Sequence, residues 1–135
     1  MSVIITDKGF GTDDWVGGFT AVGEAANDVV ALDLPSDTNP TTLVGHLQRV
    51  QIIRVDFPAY SDGRGFTIAR QLRLMGYKGR LRAKGHVISD QYAMARRCGF
   101  DEVEISAELA ARQPEDHWLF RADWQAHDYQ SRLRG

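Results

Sequence analysis

Two short segments hold most of the side chains able to do chemistry in this chain of 135 residues. The first is Phe57-Pro58-Ala59-Tyr60-Ser61-Asp62-Gly63-Arg64-Gly65-Phe66-Thr67. It brings together a guanidinium, a carboxylate, two hydroxyls on Ser61 and Thr67, and two glycines that let the backbone approach a bound group. If a helix opens here, its free amide hydrogens and Arg64 suit a sulfate, sulfite, phosphate or carboxylate. The second is Gly85-His86-Val87-Ile88-Ser89-Asp90-Gln91, with Ser89 or Asp90 as a helix cap. His86 is the one side chain in either segment that titrates ordinarily near neutrality. Tyr60, Ser61, Asp62, Gly63, Arg64, Gly65, Asp90 and Gln91 are therefore the candidate ligand-binding residues. Asp62, Asp90 and His86 are the candidates for acid or base work, His86 if it faces one of those carboxylates. A plain structural account competes with this one. In it Asp62 caps the helix, the glycines make a turn, Arg64 pairs with a carboxylate such as Asp56, and His86 is solvated.

Neither segment matches GxxxxGK[ST] or GxGxxG, so nothing points to nucleotide binding by the standard loops. The chain also has no cysteine pair and no flavin or cluster fingerprint, and no cofactor is expected. Cys98 is its single cysteine, which excludes an intrachain disulfide, a CxxC redox pair and a cysteine zinc cluster. It sits beside Arg96 and Arg97 near a helix end and reads as a structural cysteine. His46, His117 and His127 show no ligand spacing, so no metal site is expected. Asp33, Asp56, Lys84 and Glu104 approach strand ends and form either a shared polar pocket, with Lys84 as an amine nucleophile if desolvated, or an ion-pair network.

The elements that must position these groups are legible from periodicity. Four β-like runs, 29–34, 50–57, 80–84 and 102–105, alternate with helical segments. Thr41 or Thr42 is placed to cap a helix carrying Leu43, Val44 and Leu47, and Ser61 or Asp62 the next, with Ile68, Ala69, Leu72 and Met75 on one face. Two helices are expected to stop at Gly76-Tyr77 and Gly99-Phe100, each glycine in a left-handed C′ position. This alternation predicts an α/β fold, a mainly parallel sheet of about four βα units in one domain spanning 1–135. Residues 1–27 read as an irregular or hairpin segment, and 107–134 as a C-terminal helical segment interrupted at Pro114.

The strands nevertheless alternate in polarity: Arg54 and Asp56 against Ile53 and Val55; Arg80, Arg82 and Lys84 against Leu81 and Ala83; Glu102 and Glu104 against Val103 and Ile105. One sheet face is polar, with the helices mainly on the other. Such a sheet is half-barrel-like, or flavodoxin-like with solvated charges on its edge strands. The polar face is then wet, covered by a terminal segment, or closed by a second subunit in a homodimer. A formal charge of −2 gives no general attraction to nucleic acid or an anionic membrane. No apolar run approaches the roughly 20 residues of a membrane helix, and the first residues lack a secretory pattern, so a cytoplasmic location is expected.

The run Asp56 to Arg73, then Gly76 to Ala83, Asp90-Gln91 and Arg97 to Asp101, closely resembles an uncharacterised bacterial family, domain of unknown function 934. The resemblance covers residues 29–105, with a weaker echo at Tyr129-Gln130. It implies a pathway rather than a reaction, because the family's genes commonly stand beside those for sulfite reductase and phosphoadenylylsulfate reductase. Some members carry the label oxidoreductase of sulfite reduction on that neighbourhood alone. The implied role is an accessory factor of assimilatory sulfite reduction that binds a small oxyanion or docks on a pathway enzyme. The alternative is a small enzyme with a pocket at the carboxyl ends of its strands. His86 stands where the family usually has an acidic residue and Lys84 where it has an apolar one, which turns attention to Asp62, Arg64, Asp90 and Gln91.

Overall fold

The structure is a computed structural model that describes residues 2–24 and 28–124. Its one sheet contains β1 (Ser2–Thr6), β2 (Gly9–Gly11), β3 (Thr20–Ala21), β4 (Ala31–Leu34), β5 (Ile52–Phe57), β6 (Arg80–Gly85) and β7 (Glu102–Ser106), in the order β2-β1-β7-β6-β5-β4-β3. Strands β3 to β7 are parallel and advance one place at a time without reversal, while the β1–β2 hairpin joins β7 antiparallel. Right-handed crossovers that all step the same way leave their helices on one face of the sheet. Those helices are α1 (Arg64–Leu74), α2 (Tyr92–Cys98), α3 (Ala107–Arg112) and α4 (Glu115–Arg121).

The predicted strands are present with ends shifted by a residue or two. Their apolar alternates Leu32, Ile53, Val55, Leu81, Ala83 and Val103 are fully buried against Ala69, Leu72, Ala95 and Tyr92 of the helices. Both expected glycine stops occur. At the end of α1 the Gly76 amide donates to Arg73 O and the Tyr77 amide to Leu72 O, with Gly76 at φ +97°. At the end of α2 Gly99 donates to Arg96 O and Phe100 to Ala95 O, with Gly99 at φ +112°. This is the Schellman pattern, and the following Tyr77 and Phe100 fold back into the core.

The helix expected after Thr41 or Thr42 is instead one 3-10 turn, Pro40–Leu43, capped by Asn39, whose Oδ1 accepts from the Thr41 amide at 3.1 Å. Proline at the first position and a short polar side chain before it favour that start. The C-terminal helical segment appears as α3 and α4, broken at Pro114; its residues 125–134, with His127, Tyr129 and Gln130, lie outside the described residues.

The polar face is covered by the N-terminal segment. Residues 12–19 connect β2 on one edge to β3 on the other and pass across the face opposite the helices. A seven-stranded sheet has six spacings, about 29 Å at roughly 4.8 Å each. Nine Cα steps from Gly11 to Thr20 reach at most about 30–32 Å. The strap therefore crosses with little slack.

Candidate functional site

The carboxyl ends of the parallel strands collect the loops that follow β4, β5 and β6, and both chemically suggestive segments lie there. After β5, the Asp62 amide turns back to Ala59 O, and α1 begins at Arg64 with Gly63 at its N-cap. Asp62 thus stands one residue outside the cap position expected for it. Its Oδ1 accepts from the Arg64 amide at 3.2 Å and from Arg64 Nε at 2.9 Å, while Arg64 Nη2 reaches its Oδ2 at 2.7 Å. The same Nη2 donates to Ser36 Oγ at 2.8 Å, tying the β4 loop to the β5 loop. Hydrogen bonds from the Arg64 guanidinium and then its backbone amide hold the Asp62 carboxyl down at about 2. Arg64 pairs with this neighbour two residues away, not with Asp56.

Gly65 is explained by packing: a Cβ there would lie 2.5 Å from Phe57 Cζ, so only glycine lets the first turn of α1 rest on that ring. A Cβ at Gly63 would make only an ordinary van der Waals contact, with Phe66 Cδ2 3.9 Å away. At the end of β6, Gly85 at φ +117° lets the backbone turn so that the His86 amide donates to Phe57 O at 2.8 Å. The His86 ring stands edge-on to Tyr60 at 5.4 Å between centroids. Gln91 accepts from the Ile88 amide at 3.1 Å and donates to Tyr60 O at 3.0 Å, so this candidate ligand group joins the two loops. A 3-10 turn, Ser89–Gln91, precedes α2, and neither Ser89 nor Asp90 caps it; Asp90 instead accepts from Arg121 of α4 at 2.9 Å. The structure brings Tyr60, His86 and Gln91 together and joins Asp62 to Arg64, while Asp90 turns to a different element.

Lys84, the last residue but one of β6, stands between two cavities. One, of about 350 Å³, includes Tyr60, His86, Glu104 and Ser106; the other, of about 250 Å³, includes Asp33 and Asp56. Among the described residues no carboxylate lies within ion-pair distance of the Lys84 amine, although Asp56 and Glu104 are its register neighbours.

The other cations of this face are paired. Arg82, completely buried, donates to Glu102 at 2.6 Å, Glu104 at 2.9 Å and Asp13 at 3.0 Å. Arg54 donates to Asp33 at 2.6 Å and Glu104 at 3.2 Å, and Arg80 to Glu102 at 2.7 Å and Asp14 at 2.8 Å. Phe19 of the strap lies under Arg54, with 3.9 Å from guanidinium carbon to ring centre. Burial alone would lower Arg82, but its bonds to Asp13 and the two glutamates outweigh that and raise it. Asp13 is lowered, first by the Arg82 hydrogen bond. Sequence reasoning missed Asp13, Asp14 and Phe19; the signal available was a row of strand arginines that needed carboxylates from outside the strands.

On the opposite face, α1 and α2 border an open groove of about 650 Å³ that begins at Tyr60, Ser61 and Gly63 and continues past Phe66, Arg70 and Leu74 to Met94 and Cys98. Cys98 is buried there, as expected of a structural thiol.

A protein-family model described as "Bacterial protein of unknown function (DUF934)" matches residues 31–134. The match starts at β4, so the hairpin and strap precede it. No curated protein and no solved structure matches the chain. Among the described residues no helix is long and apolar enough to cross a membrane, and no group of three or more His, Cys, Asp or Glu side chains is placed to hold a metal.

Proposed function

We propose, from the premise that the chain belongs to the DUF934 family of bacterial proteins, that it is a cytoplasmic accessory protein of assimilatory sulfite reduction. It acts by docking on sulfite reductase or a neighbouring enzyme of that pathway through the loops at the carboxyl ends of its sheet. The pathway rests on the resemblance carried by the residues from Asp56 to Asp101. Docking, rather than oxyanion capture, rests on one observation. Asp62 fills two donor positions of the Arg64 guanidinium, at 2.9 and 2.7 Å, so a small oxyanion would have to displace an intramolecular carboxylate. Tyr60 meanwhile remains exposed beside it, an aromatic of the kind that anchors protein interfaces. The frame is half-barrel-like, singly wound, with its polar side filled by the strap.

A strain lacking the protein tests this reading. It is expected to grow slowly on sulfate or sulfite and normally on cysteine, with growth restored by the wild type but not by a folded Tyr60→Ala/Arg64→Ala variant. Equal growth on all three sulfur sources contradicts it.

A second reading is favoured by Lys84, the strand cation left without a carboxylate among the described residues while lining two cavities. It makes the chain a small enzyme or oxyanion binder with Lys84 and His86 as its working groups. Thermal-shift measurements with sulfite, sulfate and a sulfonucleotide on wild type and Lys84→Met decide it: stabilisation of the wild type alone supports this reading, and no shift removes it.

A further inference from the structure

Toward the carboxyl ends of the central strands, the polar face ends in one row of charges: Asp56 on β5, Lys84 on β6 and Glu104 on β7, neighbours in register. Opposite charges placed directly across neighbouring strands attract, so the lysine is expected to pair with a carboxylate on one side or the other. It pairs with neither. Glu104 is engaged by the preceding row and by β1, accepting from Arg82 at 2.9 Å, from Arg54 at 3.2 Å and from Ser2 Oγ at 3.1 Å. Asp56 leans on Gly85 instead: a Cβ added at that glycine would lie 3.5 Å from Asp56 Oδ1. Among the described residues the Asp56 carboxylate and the Lys84 amine have no hydrogen-bond or ion-pair partner, and both side chains are half-buried.

The two unengaged charges border one cavity of about 250 Å³, whose other walls are Ala21, Asp33, Leu34 and Pro35. Asp33 is already held by Arg54 at 2.6 Å. The cavity therefore offers one open anion and one open cation, with apolar surface from Ala21, Leu34 and Pro35 beside them. It lies where the carboxyl ends of parallel strands ordinarily receive ligands. Its volume falls below the roughly 300–1,000 Å³ of sites for drug-sized ligands, so the occupant has only a few heavy atoms.

We infer that this cavity binds the zwitterion of a small α-amino acid, its carboxylate on Lys84, its ammonium on Asp56 and its side chain against Ala21 and Pro35. Adjacent strands stand about 4.8 Å apart, which puts the two side chains within reach of groups carried on one carbon. A ligand of single charge matches less well. An oxyanion engages Lys84 but brings a like charge beside Asp56, and an amine engages Asp56 but brings a like charge beside Lys84. The inference shares Lys84 with the second reading above, but it uses neither His86 nor the larger cavity and assigns no reaction.

The test is a proton–nitrogen NMR titration of the full chain with L-alanine and, separately, with L-lactate, ethylamine and sulfate at the same concentrations. L-Alanine is expected to shift the amides of Asp56, Lys84 and Gly85 saturably. L-Lactate, which lacks the ammonium, and ethylamine, which lacks the carboxylate, are expected to bind at least tenfold more weakly. Asp56→Asn and Lys84→Met each remove one open charge and are each expected to weaken L-alanine binding at least tenfold. The comparison of ligands is made on the wild type, so it decides even where a variant fails to fold. No saturable shift with L-alanine at these amides, equal binding of L-lactate or ethylamine, or full L-alanine binding by a folded Asp56→Asn variant overturns the inference. Sulfate bound by the wild type and by Asp56→Asn but not by Lys84→Met, with no response to L-alanine, overturns it as well and leaves the second reading standing.

Discussion

Replacing Arg82 by methionine removes a charge while keeping most of the side-chain volume, and it strikes the centre of the covered sheet face. Arg82 is completely buried and serves Glu102, Glu104 and Asp13 at 2.6, 2.9 and 3.0 Å. In the variant Glu102 keeps Arg80 at 2.7 Å and Glu104 keeps Arg54 at 3.2 Å, whereas Asp13 loses its one arginine contact. Removing one partner of a buried ion pair costs about 3–5 kcal/mol. The retained arginines place the expected loss at the lower end, about 3 kcal/mol, against a total stability on the order of 5–15 kcal/mol. With a urea m-value of about 1–3 kcal/mol/M the unfolding midpoint falls by about 1–3 M, measured by circular dichroism. The acid dependence should also weaken. In the wild type Asp13 is held below its ordinary 3.8, first by the Arg82 hydrogen bond, so its contribution is full above 3.8 and is lost as pH falls further. In the variant the guanidinium that lowers Asp13 is gone, so the part of the stability that acid removes below 3.8 shrinks. A loss below about 1 kcal/mol, with the acid dependence unchanged, would mean that water reaches this face and that the strap does not seal it.

Asp62 should titrate near 2 in a carbon-13 NMR series and return to about 3.8 in Arg64→Ala; an ordinary value in the wild type would refute the lock between them. Because the folded value is the lower one, the stabilisation linked to Asp62 is present above 3.8 and is lost between 3.8 and about 2. Gly65→Ala places a Cβ 2.5 Å from Phe57 Cζ and should cost about 1–3 kcal/mol in chemical denaturation. Gly63→Ala, with its nearest neighbour 3.9 Å away, should stay within about 0.5 kcal/mol.

The parallel strands and their polar alternates were legible because a period of two is written into Arg54-Val55-Asp56 and Arg80-Leu81-Arg82. The stops at Gly76 and Gly99 were legible for a local reason too, since a Schellman turn needs only glycine and the apolar residue after it. Long-range partners were not. Arg82 meets Asp13 across 69 residues, from a strap whose flanking strand β3 has two residues and no periodicity to read. At the loop, residue types suggested a ligand cradle, but several of them hold the protein's own backbone: Gly65 admits Phe57, Gln91 joins two loops, and Asp62 holds Arg64. The Asn39-Pro40 start overrode Thr41 and Thr42 because proline at the first helical position fixes where the turn begins. The groove required knowing that α1 and α2 are neighbours, which follows from strand order rather than from either helix.

Quantitative co-purification tests the docking role most directly: tagged protein from its native host, grown on sulfate as sole sulfur source, compared with the folded Tyr60→Ala/Arg64→Ala variant. Enrichment of sulfite reductase or a neighbouring enzyme with the wild type, and its loss with the variant, is the predicted result. Equal recovery with both proteins, or no enrichment of any enzyme of the pathway, contradicts it.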